Sequence, residues 1–537
     1  MAETKREIER KYEATGGTRV PDLTRVPGVS AVVDRGVVEL DAVYYDTPDL
    51  RLAADAITLR RRTGGDDEGW HLKFPVASGI RDEIRAPLAD TLPGELAGLL
   101  RSRVRGGEAV PVVRLRSARD VRHLVDASGT LLAELSVDTV RAERLPGGAE
   151  ATWKEIEVEL ADDADEAILD AVEKRLAKAG IRASSSASKL ARALKETTPS
   201  AEATASGAGK RARRRPAEAE DGARSAEGGA PETARAAASA PAPGTAGHAV
   251  LDYAREQVDA IVTLDPAVRR DLPDSVHQLR VACRRLRSAF KTYRKVLDRD
   301  VTDPLGAELK WLAAELGIAR DQEVLAERLR GRIDDLPRSL RLGPVRGRLR
   351  TWSTGRARSG RRRTLAALDS ARYLALLDAL DALLADPPLR KAAARDAGRV
   401  LARAVLRDHD RLAARVDRAL ALDPGEDRDL ALHAARKAAK RSRYAADAAA
   451  PTLGKPARKV AKRVKSVQSL LGEHQDGVVA REALRELATQ AHAAGESAFT
   501  WGLLHGREEA AADAAERELP AVWARASAPH IRAALTR

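Results

Sequence analysis

The residues best suited to chemistry in this chain are charged ones set two apart. Glu7, Glu9 and Lys11 alternate along one short segment, and Glu155, Glu157 and Glu159 along another. On a β-strand residues two apart share a face, so each triplet presents its charges to one side. Such a face is costly against an apolar core and sensible in a polar cavity. Arg60 with Arg62, and Arg81 with Glu83 and Arg85, repeat the pattern, while Lys73, Arg119 and Lys189 add further cations. A water-filled barrel would turn all of them inward. Clustered carboxylates suit hard divalent cations such as Mg²⁺ or Mn²⁺, and ringed Arg and Lys suit a phosphate chain. Phosphoanhydride hydrolysis needs little beyond such positioning and charge stabilisation. The glycine-rich cradles G-x-x-x-x-G-K-[ST] and G-x-G-x-x-G are absent from the sequence.

A second constellation lies in the back half. His277, Arg280, Arg284, Arg287 and Lys291 fall at i, i+3, i+7, i+10 and i+14, one face of a helix. Leu279, Cys283, Leu286 and Phe290 fall toward another side and are expected in the core. The charged pattern returns 156 residues on as His433, Arg436, Lys440 and Arg443. The segment Lys310 to Asp321, containing Leu316-Gly317, returns 155 residues on as Lys465 to Asp476, containing Leu471-Gly472. Two motifs at nearly one offset indicate an internal duplication. Like charges three or four residues apart repel by ~0.2–0.5 kcal/mol per pair. A stripe without acidic partners therefore predicts an anion supplied from outside. No further ligand type follows either histidine at i+4, so neither is read as a metal site.

The elements that must position these residues differ between the halves. Alternation of period two also marks Thr58–Arg62, Trp70–Lys73 and Ala133–Asp138. Helical spacing marks 90–100 and 163–179, the latter with Gly180 as a C-cap. That predicts an α+β domain dominated by antiparallel strands. From residue 248 onward the spacing is helical, as in Val276, Leu279, Cys283, Leu286, Phe290 and Tyr293. Breaks are expected at Pro304, Pro337, Pro387, Pro424 and Pro451, giving a bundle of roughly eight to twelve helices. Between the halves, 198–247 is rich in Ala, Gly, Pro, Glu, Ser and Thr without apolar periodicity, and is expected to be a disordered linker. Its basic run Lys210–Arg215 reads as a tether or an accessory anion contact.

Charge follows the same division. Residues 1–200 carry 31 Lys and Arg against 35 Asp and Glu, a net of −4, and residues 248–537 carry 55 against 39, a net of +16. The basic half should favour a polyanion. Arginine abundance alone is not evidence, because 74 Arg beside many Ala also reflects a GC-rich genome. A single cysteine, Cys283, rules out an internal disulfide framework and any Cys-rich zinc site. No apolar run reaches the ~20 residues of a membrane span, and the first residues are charged where a signal peptide is apolar. The expectation is a cytoplasmic protein with no membrane partner.

Two family resemblances gather these motifs. The opening E-x-E-x-K of Glu7, Glu9 and Lys11 is followed by Tyr44-Tyr45-Asp46-Thr47, Leu59–Arg62, Trp70–Lys73, Glu155–Glu159 and Ser188-Lys189. This ordered set resembles the CYTH domain, the triphosphate tunnel metalloenzyme fold, over about residues 1–197. The resemblance implies a closed antiparallel eight-stranded β-barrel tunnel acting on a triphosphate with a divalent metal. It implies metal binding by Glu7, Glu9, Glu157 and Glu159, with Glu155 an alternative for one of the last two. It implies catalytic roles for Lys11, Glu7 and Glu9, and substrate binding by Lys11, Arg60, Arg62, Lys73, Arg119 and Lys189. Arg119 is preferred to Arg114, Arg116 and Arg122 because it opens a strand-like run. Asp46 and Thr47 fit either a site role or an Asx turn. His71 is left out, as expected on the face opposite Lys73.

The repeated H-x-x-R-x-x-x-[RK]-x-x-R helix, each time followed by L-G-x-x-x-D, resembles the CHAD domain, the conserved histidine α-helical domain, over about residues 248–537. In that family the basic face is understood to bind inorganic polyphosphate. This implies polyphosphate binding by His277, Arg280, Arg284, Arg287, His433, Arg436, Lys440 and Arg443. Taken together, the expectation is an inorganic triphosphatase dependent on Mg²⁺ or Mn²⁺, whose helical half binds polyphosphate, with polyphosphate granules as a place to hold it. One alternative is an adenylate cyclase or thiamine triphosphatase acting on an organic triphosphate. Another is a non-catalytic polyphosphate-binding protein, against which the intact Glu7, Glu9 and Lys11 weigh. Nucleic acid ranks below polyphosphate as a partner, because aromatic residues make up only 3% of the chain and base stacking needs them.

Overall fold

In a computed structural model the chain divides into two compact units, Met1–Ser225 and Ala226–Arg537, described for residues 3–198 and 241–535. Most of the segment read as a linker, with its basic run Lys210–Arg215, lies outside the described residues.

Alternation in the first unit builds eight strands: β1 (Glu3–Ala14), β2 (Ala31–Asp46), β3 (Thr58–Thr63), β4 (Gly69–Ala77), β5 (Ile80–Ala86), β6 (Val110–Val125), β7 (Leu131–Arg144) and β8 (Glu150–Leu160). They close into an antiparallel barrel in the order β1-β5-β4-β3-β2-β6-β7-β8. The expected strands are present. Arg119, expected to open a strand, lies in the middle of the long β6.

The barrel wall buries its apolar residues outward. Three helices cover that outer face: α2 (Gly94–Val104), α3 (Ala167–Lys178) and α4 (Lys189–Glu196), after the single turn α1 (Arg51–Ala54). Leu96 and Leu100 of α2 pack on Leu59, Trp70, Leu72 and Ile84. Leu169, Val172 and Leu176 of α3, spaced for one helix face, pack on Tyr12, Leu135, Ile156 and Val158. Leu190 and Ala193 of α4 pack on Val113, Val140 and Trp153. Each fully buried Leu contributes about 1.5–3 kcal/mol, so the closed wall is held from outside and its interior is left to polar side chains. Gly180 ends α3 at φ +82°, as its C-cap reading required.

The second unit contains ten α-helices among the described residues: α5 (Ala246–Arg269), α6 (Ser275–Thr292), α7 (Arg299–Asp334), α8 (Val345–Leu368), α9 (Ala371–Ala385), α10 (Ala397–Leu420), α11 (Glu426–Leu453), α12 (Lys455–Ala493), α13 (Phe499–Ser527) and α14 (Pro529–Ala533). They form two successive sets of five, α5–α9 and α10–α14, in matching order. That order is what an internal duplication would require. Leu279, Cys283, Leu286 and Phe290 are buried in the main core.

Three details differ from expectation. Helix α5 starts inside the segment read as linker, because Thr245 caps it by accepting from His248 N, and the Ala246 and Gly247 amides donate to Arg395 and Ala393 carbonyls. Pro304 and Pro451 lie within α7 and α11 and not between helices. A proline forfeits one helical hydrogen bond, which the packing of these long helices outweighs.

Helices α7 and α8 cross where Gly360 meets Ala319. A Cβ on Gly360 would lie 2.7 Å from the Ala319 Cα. Gly360→Val should therefore destabilise the helical unit by about 1–3 kcal/mol, the usual cost of overpacking. Denaturant unfolding followed by helical circular dichroism measures it, and an unchanged midpoint would contradict the close crossing.

Candidate active site

The strand register sets inward charges side by side around the barrel. Lys11 pairs in register with Glu157 and Glu9 with Glu159 across β1 and β8. Lys73 faces Glu83 across β4 and β5, and Arg119 faces Asp138 across β6 and β7. The result is one cavity lined by Glu7, Glu9, Lys11, Arg60, Arg62, Lys73, Arg119, Glu157, Glu159 and Lys189. Of the tunnel residues singled out from the sequence, Glu155, Asp46 and Thr47 do not line this space; Lys189 does, entering it from the first turn of α4 while Ser188 caps the helix by accepting from Ala191 N.

The side chains interlock in ion pairs. Lys73 Nζ lies 2.6 Å from Glu7 Oε1 and 3.4 Å from Glu83. Lys11 lies 2.9 Å from Glu9 and also contacts Glu157. Arg119 donates to Asp138 at 2.8–2.9 Å and to Glu157 at 2.7 Å. Lys189 reaches Asp138, Glu155 and Glu157 at 2.8, 2.9 and 2.5 Å. Burial works against the charge of Lys11, but Glu157 and Glu9 hold its pKa above the ordinary lysine value. Lys11 is therefore a fixed cation and not a base. Burial would likewise raise Glu157, and Lys11, Lys189 and Arg119 hold it well below the usual carboxylate range.

Two arginines are less well served. Arg62 pairs with Asp67, but burial and the neighbouring charges of Arg60 and Arg119 press against its own charge. The Nε atoms of Arg60 and Arg62 are buried with no hydrogen-bond acceptor among the described residues. An anion entering the cavity would meet donors still free to bind it.

Several residues of the site were given no role from the sequence. Glu83 is buried and receives Lys73, Arg60 at 3.8 Å, Arg85 at 2.6 Å and His71 Nδ1 at 2.9 Å. Its alternation with Arg81 and Arg85 was the available signal. Asp138 ended an alternating stretch, and only the β6–β7 register brings Arg119 beside it. Tyr44 places its hydroxyl 3.4 Å from Arg60. His71 is a correction. Residues 71 and 73 are two apart on β4 and so share the face of Lys73. Both ring nitrogens meet acceptors, Glu83 on one side and the Asp67 carbonyl at 2.8 Å on the other. Asp46 resolves as the turn: its carboxylate accepts from the Thr47, Leu52 and Ala53 amides at 2.7–2.8 Å and starts α1.

Glu7, Glu9, Glu157 and Glu159 line the one cavity and are the candidates there for a hard divalent ion. Burial and the charge of Glu7 together raise the Glu159 pKa, against the opposing charges of Lys5 and Lys73. An all-oxygen set of this kind suits Mg²⁺ or Mn²⁺. Asp138, Glu155 and Glu157 also bring three oxygens within 4.8 Å of one another, but the Lys189 ammonium sits among them and already satisfies them. Glu157 and Glu159 line the cavity; Glu155 stands behind, accepting from Trp153 Nε1 at 2.7 Å.

A second chamber of about 390 Å³ adjoins this cavity through the shared residues Arg62, Asp67, Arg85, Arg119 and Glu159. Its walls add the apolar side chains Val38, Leu40, Val121 and Leu131.

In the helical unit the two stripes lie on α6 and α11, which pack against each other. The motif that follows each stripe has a physical explanation. Arg280 reaches over Gly317 to Asp321 at 2.8 Å, and Arg436 reaches over Gly472 to Asp476 at 3.3 Å. A Cβ on Gly317 would lie 2.7 Å from the Arg280 guanidinium. The glycine leaves room for the arginine and the aspartate receives it. This corrects the expectation of stripes without acidic partners, as does Arg443, 3.7 Å from Asp447. Arg284, Arg287 and Lys440 have no such pair among the described residues. Burial, with Arg436, Arg284 and Arg280 nearby, pushes the Lys440 pKa down to about 8, so the two stripes converge there. His277 and His433 are partly buried at the start of each stripe, both with pKa lowered by burial.

Comparison with known proteins agrees with both units. The family model described as "CYTH domain" matches residues 5–194 and that described as "CHAD domain" matches residues 252–485. Uncharacterized protein Rv2226 of Mycobacterium tuberculosis is 37% identical over 528 residues, covering 95% of this chain and 94% of its own length. Its counterpart MT2285 from another strain matches equally. Among solved structures, PptA from Streptomyces chartreusis is 23% identical, with a TM-score of 0.44 over 52% of this chain and 99% of its own. The CHAD domain from the plant Ricinus communis is 25% identical, with a TM-score of 0.39 over 56% and 94%.

Glu83 offers a direct check of the tunnel electrostatics. Burial alone would raise its pKa, yet Lys73, the His71 hydrogen bond and Arg60 hold it far below the carboxylate range. Its contribution to stability is thus present above the ordinary glutamate pKa and is lost as pH falls well below it. Glu83→Gln should destabilise the barrel unit at neutral pH by about 3–5 kcal/mol, the cost of stranding buried charges. Unfolding of this variant measured from neutral to acid pH should show the loss shrinking as acidity increases; a constant difference would contradict the pairing.

Proposed function

Since this chain belongs, with its Mycobacterium tuberculosis relatives, to the proteins that join a CYTH domain to a CHAD domain, and CYTH enzymes act on triphosphates with a divalent metal, we propose that it hydrolyses inorganic triphosphate to pyrophosphate and phosphate in the barrel and binds polyphosphate on the helical unit. The observation that carries the first part is the buried Arg60 and Arg62 pair with unused Nε donors, facing carboxylates across the same cavity.

In this reading Arg60, Arg62, Lys73, Arg119 and Lys189 exchange carboxylate partners for phosphate oxygens and fix the chain in line. Lys11, held cationic by Glu9 and Glu157, neutralises charge that develops as the bridging bond breaks. The enclosed wall limits bulk water, so these contacts act at reduced dielectric. Glu7, Glu9 and Glu159, joined by Glu157, are the residues to hold Mg²⁺ or Mn²⁺, which when bound polarises a phosphoryl oxygen and orients the attacking water. An organic triphosphate is the second reading, favoured by the apolar Val38, Leu40, Val121 and Leu131 of the adjoining chamber.

Phosphate release from triphosphate tests this. Chelation, or Glu9→Gln with the fold intact, should abolish it. Arg62→Ala should lower kcat/KM by roughly 1.5–3 kcal/mol, the worth of a charge-assisted hydrogen bond. Full activity of Glu9→Gln at saturating metal would contradict the metal assignment.

Polyphosphate binding carries its own signature. Lys440, flanked by Arg284, Arg280 and Arg436, titrates at about 8, and a bound anion would favour its charged form. Below that pH the ammonium is already charged; above it, binding must bring a proton. Affinity for long polyphosphate should therefore fall as pH rises through about 8. Lys440→Gln should bind more weakly and lose that dependence, whereas an unchanged profile would remove Lys440 from the binding face.

A further inference from the structure

The two halves of the helical unit differ in how their third and fourth helices meet. In the first half α7 crosses α8 through Ala319 and Gly360, with no room for a side chain between them. In the second half the helices of the same order, α12 and α13, approach through His474 and Glu516. Asp429 of α11 joins them. His474 is 2% exposed, and its Nε2 lies 3.2 Å from Asp429 Oδ1 and 3.1 Å from Glu516 Oε1.

From this geometry we propose that Asp429, His474 and Glu516 form a site for a borderline divalent cation such as Zn²⁺. Three donors from three helices converge, all within 4.8 Å of one another. Nitrogen-to-oxygen separations of 3.1 and 3.2 Å match the edge between adjacent ligands around an ion bound at ~2.0–2.2 Å. A single imidazole N–H does not serve two carboxylates at once as well as a cation does. Each carboxylate also turns its other oxygen to an arginine: Glu516 Oε2 to Arg428 at 2.9 Å, and Asp429 Oδ2 to Arg481 at 3.5 Å. Partners outside the ligand set orient metal-binding carboxylates in this way. Two carboxylates and an imidazole give three ligands, and water is left to complete a tetrahedron. A histidine among the donors separates this site from the all-oxygen tunnel, which suits Mg²⁺ or Mn²⁺.

The test uses the full chain, stripped with EDTA and returned to excess Mg²⁺ so that the tunnel is supplied. Zn²⁺ is titrated calorimetrically into the wild type, His474→Gln and Asp429→Asn. The wild type should take up one equivalent and melt at a higher temperature with Zn²⁺ than without. His474→Gln should bind Zn²⁺ at least about tenfold more weakly and lose the thermal shift, consistent with the sensitivity of metal sites to loss of their shell. Should His474→Gln fail to fold, Asp429→Asn, at a half-buried position, decides by the same two readouts. No uptake of Zn²⁺ by the wild type in excess Mg²⁺, or equal uptake by wild type and folded variants, would overturn the proposal.

Discussion

The barrel depends on one constraint: charges placed inside a closed wall must find partners there. An isolated buried carboxylate or ammonium costs several kcal/mol even after relaxation. The register answers this by setting Lys11 against Glu157, Lys73 against Glu83 and Arg119 against Asp138. The apolar face is thereby turned outward, and α2, α3 and α4 exist to cover it. Lys189 belongs to both arrangements, since its helix packs outside through Leu190 while its ammonium closes the carboxylate group inside. The compensation is uneven, and the unevenness is where ligand chemistry enters. Arg60 and Arg62 retain unused donors, and Glu7 and Glu159 crowd each other.

The helical unit solves a related problem by duplication. In both halves a glycine lets an arginine cross a helix to reach an aspartate, fixing Arg280 and Arg436 in one posture. The unpaired Lys440 then lies near Arg284 of the other half, and its pKa is depressed by burial first and then by the charges of Arg436 and Arg284. Such a convergence is unfavourable in the free protein and becomes favourable when a polyanion lies across it. The contact between α12 and α13 is made by His474 and Glu516, whereas α7 and α8 meet through Ala319 and Gly360.

Much of this was legible in the sequence because charge alternation of period two has few other uses. The E-x-E-x-K opening and the Glu155–Glu159 run placed their side chains on one face without any knowledge of register. What the sequence withheld was partnership across strands. Asp138 acquires its meaning only when β6 brings Arg119 beside it, and Glu83 only when β4 brings Lys73 and His71. His71 was misplaced by an error of parity and not of physics. The stripes of α6 and α11 were legible as helix faces, but their aspartate partners lie some forty residues on, in the next helix, where spacing alone does not point. The glycines of the L-G-x-x-x-D motif were visible as repeats, and their reason, the passage of a guanidinium, is purely spatial.

The central claim is that the barrel is built around three phosphates and not around an organic group. Phosphate release measured side by side on inorganic triphosphate, ATP, thiamine triphosphate and long polyphosphate, each with and without Mg²⁺ or Mn²⁺, tests it most directly. The account predicts metal-dependent turnover with inorganic triphosphate the preferred substrate, because the cations lining the cavity, Arg60, Arg62, Lys73, Arg119 and Lys189, suit phosphate oxygens. Preferred turnover of ATP or thiamine triphosphate, or equal release without a divalent metal, would contradict it.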